Sequence, residues 1–410
     1  MNDNKISKNS IVAKFAVPIS FLILFFLAAN FTDCDLVTFW KRRSHLTDLV
    51  VDMIPPDFSY IQKILLPLFY TIQMSVTGTV LGIFFALVLS PFGAANLGFP
   101  AVIRRILRIV IQILRSFPAL ILALTATFLF GLGTFAGTFA ITLYTFAIMT
   151  KLTYEDASAA DVKAYQALRA MGVSKYVAYI HGILPEIIPG FLTNALYLLE
   201  TNVRHSSILG YVGAGGIGLL LNEKISWLEY DKVGTILLML FLTVCVIEYF
   251  SRYLAALIRK EHTIKKEQAR LLLLFLAALF LICTFTLSLP DFSKTSPQTL
   301  RNMFAGFLQP DWSFFFSAEK DGLGYLLLET VCIAFIGTVI GAIVSAPLAF
   351  LNTKRFVPAP VSFLFNLVIM IIRSVPFLVY GLIFIRVSGP GAFTGCLLYT
   401  SPSPRDGLLS

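Results

Sequence analysis

The residues with chemistry to offer are few, and most stand inside apolar stretches. Glu200, Asn202 and Arg204 interrupt one such stretch. Glu200 and Arg204 are four apart, so on a helix they share a face and can pair. Charges at bilayer depth are costly and turn toward a bundle interior or a water-filled path. Two readings stand for them: a buried pair that fixes helix packing, or a contact with a passing solute. Arg115 and Arg373 each open an Arg-Ser-x-Pro string. A guanidinium offers a planar fork of donors suited to oxyanions, and at a helix end it can also snorkel to headgroups. No catalytic cluster accompanies them. The four His form no HExxH pair, the five Cys form no CxxC, and no G-x4-G-K-[ST] occurs. Neither a metal centre nor an ATP site is therefore expected in this chain. Gly213-x-Gly215-x-x-Gly218 matches a dinucleotide fingerprint but lacks the strand that such a site needs before it. Close helix approach, or a helix break lining a cavity, fits it better.

The elements that must position these residues are membrane helices. Hydrophobic residues make up 57% of the 410, charged residues 13% and aromatic residues 14%, with 38 Phe. A soluble domain is about one quarter charged, so this chain could not cover a water-facing surface. It reads as an all-α polytopic membrane protein with a lipid-facing exterior. Apolar runs mark spans at 12–31, 65–89, 109–130, 135–150, 191–221 (interrupted), 233–250, 271–289, 325–350 and 361–385. The net charge of +9 sits mostly in short loops, where it speaks of topology and not of nucleic acid. Arg104, Arg105 and Arg108 mark one loop; Arg252, Arg259, Lys260, Lys265, Lys266 and Arg270 mark another; Lys354 and Arg355 mark a third. The stretches 32–60 and 290–322 carry more Asp and Glu than Lys and Arg. An excess of Lys and Arg marks cytoplasmic loops, which puts the N-terminus in the cytoplasm.

The chain repeats itself at a spacing of about 258 residues. Thr71, Gly78-Thr79 and Gly82 recur as Thr330, Gly337-Thr338 and Gly341. Arg115-Ser116-Phe117-Pro118 recurs as Arg373-Ser374-Val375-Pro376, and Gly131, Gly133, Phe135 and Gly137 as Gly389, Gly391, Phe393 and Gly395. Parallel repeats set two similar halves around an axis along the membrane normal, with a path between them. The halves read as 1–260 and 261–395. Beyond Gly395 the string CLLYTSPSPRD has no counterpart in the first half, so the second copy is expected to be incomplete and 396–410 to be a non-native tail.

The longest polar stretch of the first half is 151–185. Thr153 with Asp156 three residues later predicts a capping box opening a helix. Ala157, Ala160, Ala164, Ala167, Leu168 and Met171 recur at helical spacing, which predicts one small apolar face. Gly172 permits a helix stop, and 174–183 can form a second short helix before Pro185. Two short helices with an apolar face predict docking into a groove on a partner.

Here the chain resembles a known family. Gln166-Ala167-Leu168-Arg169-Ala170-Met171-Gly172, followed by Leu184-Pro185, resembles the EAA loop of ABC importer permeases. It departs from that pattern at Gln166, where Glu is usual, at Leu168 for the second Ala, and at Gly182 for Ile. Leu184-Pro185, Pro189, Glu200-Thr201-Asn202-Val203-Arg204 and Ile208-Leu209-Gly210-Tyr211-Val212-Gly213-Ala214-Gly215-Gly216-Ile217-Gly218 together resemble the permease subunit of phosphonate ABC importers. The resemblance covers 36–250 and, as a second copy, 310–395. It implies a type I permease fold in the bacterial inner membrane. It also implies that Gln166, Ala167, Leu168, Gly172, Leu184 and Pro185 belong to a loop seated on two ATP-binding subunits. A periplasmic phosphonate-binding protein would deliver the solute, and Arg115, Arg373, Glu200, Asn202 and Arg204 are the candidates for its path. The rival solutes are another phosphorus oxyanion or methionine. An ion-coupled secondary transporter, needing neither ATPase nor coupling loop, is the rival mechanism.

Overall fold

The structure, a computed structural model, describes residues 18–32, 43–259, 266–290, 301–302, 305–306, 309, 311–317, 319, 322–353, 356–389 and 391–400. Its helices are α1 (Pro18–Phe31), α2 (Arg43–Asp52), α3 (Ile61–Gly93), α4 (Ala101–Ser116), α5 (Ala119–Phe130), α6 (Thr134–Ala159), α7 (Lys163–Ala170), α8 (Lys175–Gly182), α9 (Leu184–Leu209), α10 (Ile217–Ser226), α11 (Tyr230–Ile258), α12 (Lys266–Phe285), α13 (Trp312–Phe316), α14 (Leu323–Asn352), α15 (Ala359–Ser374), α16 (Phe377–Ser388) and α17 (Ala392–Thr400). Among the described residues four helices are long and apolar enough to cross a membrane alone, and up to seven spans result if each bent pair counts as one. Each predicted span has a helical counterpart. The first and seventh are the shorter apolar helices Pro18–Phe31 and Leu274–Phe285.

Two predicted spans are not continuous. The 109–130 run is α4 and α5, bent by 95°, and the 361–385 run is α15 and α16, bent by 79°. Proline is the cause. Pro118 and Pro376 have no N–H to donate, and each pushes the residue before it into extended backbone. Phe117 and Val375 accordingly both sit at ψ 126°. The repeat extends to other local geometry. Gly131 and Gly389 have φ of +81° and +87°, and Gly133 and Gly391 +142° and +154°. Asp57 accepts from the Ser59 N–H as Asp311 does from Ser313.

The compact units divide differently from the repeat. Residues 55–305 form one, and the described residues between 18 and 54 join those from 306 onward in the other. The packing boundary lies away from the repeat boundary expected at 260, because α12 packs within 55–305 and α1 packs with residues from 306 onward. Gln73 Nε2 on α3 donates to the Cys283 carbonyl at 3.1 Å and to Thr286 Oγ1 at 2.8 Å, fastening α12. Ala28 of α1 is buried with Ile336 and Cys396, and the Phe21 ring meets Phe335 at 5.2 Å. Cys396, at the start of the expected tail, is therefore buried in α17, while 401–410 lie outside the described residues.

Within 55–305, α3 and α6 form the spine. Lipid tails are as apolar as leucine, so membrane helices associate through close packing and hydrogen bonds. A Cβ on Gly78 would lie 2.8 Å from the Ile141 side chain, and one on Gly82 2.7 Å from Thr145. The two glycines set how near the helices come. Phe84 and Phe85 of α3 point outward, exposed, as suits lipid.

Candidate functional site

The segment 160–183 is built by local signals. Contrary to the capping-box expectation, Thr153 opens nothing: α6 runs through it, and its hydroxyl donates to the Met149 carbonyl at 2.6 Å. The break comes at 160–162. There Asp161 accepts from the Lys163 N–H at 3.0 Å, a bond that lowers the carboxyl's pKa from its ordinary value. The helix α7 ends in a Schellman turn. Val173 N–H reaches the Leu168 carbonyl at 3.2 Å and Gly172 N–H the Arg169 carbonyl at 3.0 Å, with Gly172 at φ +86°. This is the 6→1 and 5→2 pairing in which glycine is favoured. Ser174 then caps α8 by accepting from the Val177 N–H.

Tyr165, Ala178, Tyr179 and Ile183 turn inward onto Tyr154, Ala157, Ala94 and Leu97. Tyr165 donates its hydroxyl to the Leu97 carbonyl at 2.6 Å. Gly182, a departure from the family pattern, sits where a Cβ would lie 2.8 Å from the Tyr165 nitrogen; its missing side chain lets α8 cross α7 closely. The single apolar face expected from Ala157 to Met171 divides in two, because the break at 160–162 resets the helical phase. Ala157 is buried, and Ala160 and Leu168 pack against the cluster around it. Ala164, Gln166, Ala167, Ala170, Met171 and Gly172 are exposed and make a shallow, small-residue surface. Leu184 and Pro185 begin α9, with Pro185 in its first turn.

The candidate path residues fall into two groups. Arg115 is exposed in the last turn of α4, and Arg373, half-buried, in the last turn of α15, each immediately before its helix pair bends. Glu200, Asn202 and Arg204 are buried in α9. Glu200 and Arg204 form an ion pair, their side chains 9% and 5% exposed. Arg204 Nε and Nη1 have no hydrogen-bond partner among the described residues. Asn202 donates from Nδ2 to Thr79 Oγ1 and Thr145 Oγ1, both at 2.8 Å, and so joins α9 to α3 and α6. One turn on, Ser206 meets Ser75 at 2.7 Å and donates to the Thr71 carbonyl at 3.1 Å. The sequence reading missed these partners, although Thr71, Ser75 and Thr79 form a polar stripe at four-residue spacing.

The glycine string after α9 is a helix break. Gly213, Gly215 and Gly216 have φ of +82°, +79° and +76°, and the Ile217 N–H that follows donates to Thr71 Oγ1 at 2.9 Å. Gly133 N–H donates to the Gly213 carbonyl at 3.0 Å. A cavity of about 370 Å³ lies between these turns, lined by Tyr70, Gly133, Thr134, Gly216, Thr286 and Ser288 among others.

Residues 78–260 match the family model for the binding-protein-dependent transport system inner membrane component. The phosphite transport system permease protein PtxC of Stutzerimonas stutzeri is 31% identical over 217 residues, covering 53% of this chain and 79% of that protein. The putative phosphite transport system permease protein HtxC of the same organism is 31% identical over 242 residues, 58% of this chain and 86% of that protein. The phosphate-import permease protein PhnE of Mycolicibacterium smegmatis is 32% identical over 203 residues, 49% of this chain and 38% of that protein. With bent helix pairs, a Schellman-terminated α7 and these matches over most of the length of two such permeases, the chain belongs to the binding-protein-dependent inner membrane components of ABC importers and has their type I permease fold.

Proposed function

We propose that the chain conducts a phosphorus oxyanion (phosphite, phosphonate or phosphate) across a bacterial inner membrane. A secreted binding protein delivers the solute, and two separate ATPase subunits drive the cycle. The exposed face of α7, from Ala164 to Gly172, is the observation that carries this reading. It is built mostly of small residues, with Gln166 and Met171 among them, and held at a fixed angle to α8, as a helix that seats in a partner's groove requires. The basic loops support a cytoplasmic side for this face and for the N-terminus. The repeat supports two permease halves, 1–260 and 261–395, whose bent pairs carry Arg115 and Arg373 at matching positions. These two guanidinium groups are the proposed oxyanion contacts, since a fork of donors can hold a phosphorus oxyanion through two parallel hydrogen bonds, a geometry that a lysine point charge cannot reproduce. The Glu200–Arg204 pair and Asn202 act on transport by holding α9 in place.

Uptake of labelled phosphite, methylphosphonate and phosphate, measured in cells lacking their own importers and supplied with the whole transporter, tests this reading. Saturable uptake of one of the three is expected, competed by the others and not by methionine. Arg115→Leu and Arg373→Leu should each reduce it at normal protein level, and the Lys variants should not restore it. Competition by methionine alone would overturn the substrate class, and full uptake by both Leu variants would leave the two arginines to the headgroups.

A further inference from the structure

We propose that Arg108 is a positioning residue that fastens α4 to the helices beneath the coupling segment, so that movement of α7 and α8 reaches the Arg115 end of α4. The proposal rests on the reading of α7 and α8 as the ATPase-coupling segment.

Beyond Arg108, α4 is held lightly. It lies between two joints where helical backbone stops, at Pro100 (ψ 131°) and at Phe117-Pro118 (ψ 126° and 147°). Ile111 alone among the residues of α4 is buried. Val102, Ile103, Ile106, Ile109, Val110 and Ile113 are exposed, a face for lipid. Apart from this one buried side chain and a long contact from Arg104 Nη1 to the Ala95 carbonyl at 3.5 Å, α4 has little to stop it tilting between its two joints.

Arg108 supplies the second grip, and a directional one. Its Nε donates to the Gly93 carbonyl at 3.0 Å, and its guanidinium carbon stands 4.9 Å from the centre of the Tyr154 ring. Gly93 is the last residue of α3, and a Cβ there would lie 2.7 Å from Tyr154. Guanidinium, ring and carbonyl thus converge where α3, α4 and α6 meet. Tyr154 belongs to the same buried cluster as Tyr165, Ala178 and Tyr179, which floors α7 and α8. Arg115 follows Arg108 by seven residues, two turns or about 10.5 Å of rise, and returns to nearly the same face. A tilt at Arg108 therefore arrives at Arg115 with its direction kept.

The second copy fastens the same point with a different residue. Ser362 of α15, 2% exposed, donates to the carbonyl of Asn352 at 2.6 Å. Asn352 closes α14 as Gly93 closes α3. The carbonyl that ends the long helix is the contact both copies use, and Arg108 adds to it the ring that leads to the coupling segment.

The test measures solute carried per ATP hydrolysed by the whole transporter in vesicles, with ATPase recovery by pull-down measured beside it. Arg108→Leu should lower the ratio about five- to tenfold, the size expected for one cation–π contact with one charged hydrogen bond, and Tyr154→Leu, which leaves the hydrogen bond to Gly93, about two- to fivefold, while ATPase recovery stays normal. Tyr154→Phe keeps the ring and should keep the ratio. The double Leu variant should be no worse than Arg108→Leu, since that variant already removes the one contact that Tyr154→Leu removes. Should Arg108→Leu accumulate poorly, Arg108→Gln, which retains a donor without the cation, should show the smaller fall of Tyr154→Leu. An unchanged ratio in these variants, multiplying losses in the double variant, or loss of ATPase recovery would overturn the proposal. Failure of the coupling reading shows elsewhere, as normal ATPase recovery by variants of Gly172.

Discussion

Gly172 offers a clean perturbation because space and backbone can be separated there. A Cβ at this position would meet nothing within 4 Å, yet its φ is +86°. Gly172→Ala therefore introduces no clash, and its effect is the strain of an L-residue in left-handed backbone, about 1–2 kcal/mol. The strain falls on the turn that fixes α7 against α8. If the ATPase accepts only that angle, it appears as weaker association, up to about tenfold for 1.4 kcal/mol. Gly172→Val adds β-branching and should cost more. Gly190 is the control. A Cβ there also meets nothing within 4 Å, and no positive φ is recorded for it in α9. Gly190→Ala should be neutral or stabilise the helix by about 0.5–1 kcal/mol. The assay is titration of the ATPase subunit onto the permease in nanodiscs, with thermal stability of each variant measured in parallel. Equal ATPase affinity for Gly172→Ala, Gly190→Ala and the unaltered chain would refute the claim that this turn sets the docking angle.

Two further outcomes follow from buried and bridged charges. Glu200→Gln removes the carboxylate from a guanidinium that is 5% exposed and has two N–H groups unpartnered among the described residues; about 3–5 kcal/mol should be lost, read as a fall in thermal midpoint. The double variant Glu200→Leu, Arg204→Leu should lose less, and a Glu200→Gln protein as stable as the original would sink the packing reading. Lys224 and Lys232 bridge Glu229 at 2.9 Å each across the turn holding Leu228 at φ +60°. Hydrogen bonds from Lys232 and Lys224 lower the Glu229 carboxyl's pKa, and hydrogen bonds to Glu223 first and Glu229 second raise that of Lys224. The carboxylate's contribution is lost as pH falls through its depressed value, below the ordinary 4.5, and that of Lys224 as pH rises through a value above the ordinary 10.5. Amide exchange at residues 227–230, corrected for the intrinsic pH dependence, should be level from pH 5 to 9 and quicken only outside that window, in stronger acid or in base beyond the ordinary lysine value; a rise centred at pH 6–7 would contradict the bridge.

The spans and the repeat were legible because each has a one-dimensional signature. Apolar run length measures bilayer thickness, and Gly, Pro and Arg at a constant spacing betray two copies. The bends at Pro118 and Pro376 were missed although both prolines stood in the motif. Apolar character continues through residues 109–130, and hydropathy does not register a lost N–H. Thr153 was misread for a related reason. A Thr three residues before an Asp can cap a helix or bond back to the carbonyl four residues earlier, and here the apolar face of α6 continues past it. The partners of Asn202 lie 123 and 57 residues away, so no local pattern could name them. The unit that α1 or α12 joins depends on which apolar helix meets which, and apolar helices look alike in sequence.

That last point has a physical root. A leucine facing lipid and a leucine facing another helix are in nearly the same solvent, so apolar residues in a membrane protein say little about position. Residues that cannot be interchanged carry the specification instead. Gly78 and Gly82 determine where α3 touches α6, while Phe84 and Phe85 just beyond those contacts merely face outward. The pair Gly137 and Met74 shows the rule acting twice. A Cβ on Gly137 would strike Met74, and in the second copy a Cβ on Gly395 would lie 3.0 Å from Ile333, the residue matching Met74. The large partner has changed and the glycine has not, because a side chain of about the right size can be replaced whereas an approach of backbones cannot be made with any Cβ in the way. The same logic separates the two fastenings of the long helices. The carbonyl that closes α3 or α14 is fixed by where the helix must end, while the donor that reaches it can be Arg108 in one copy and Ser362 in the other. Function is therefore most legible where a bend, a close approach or a buried hydrogen bond admits one residue type, and least where lipid accepts them all.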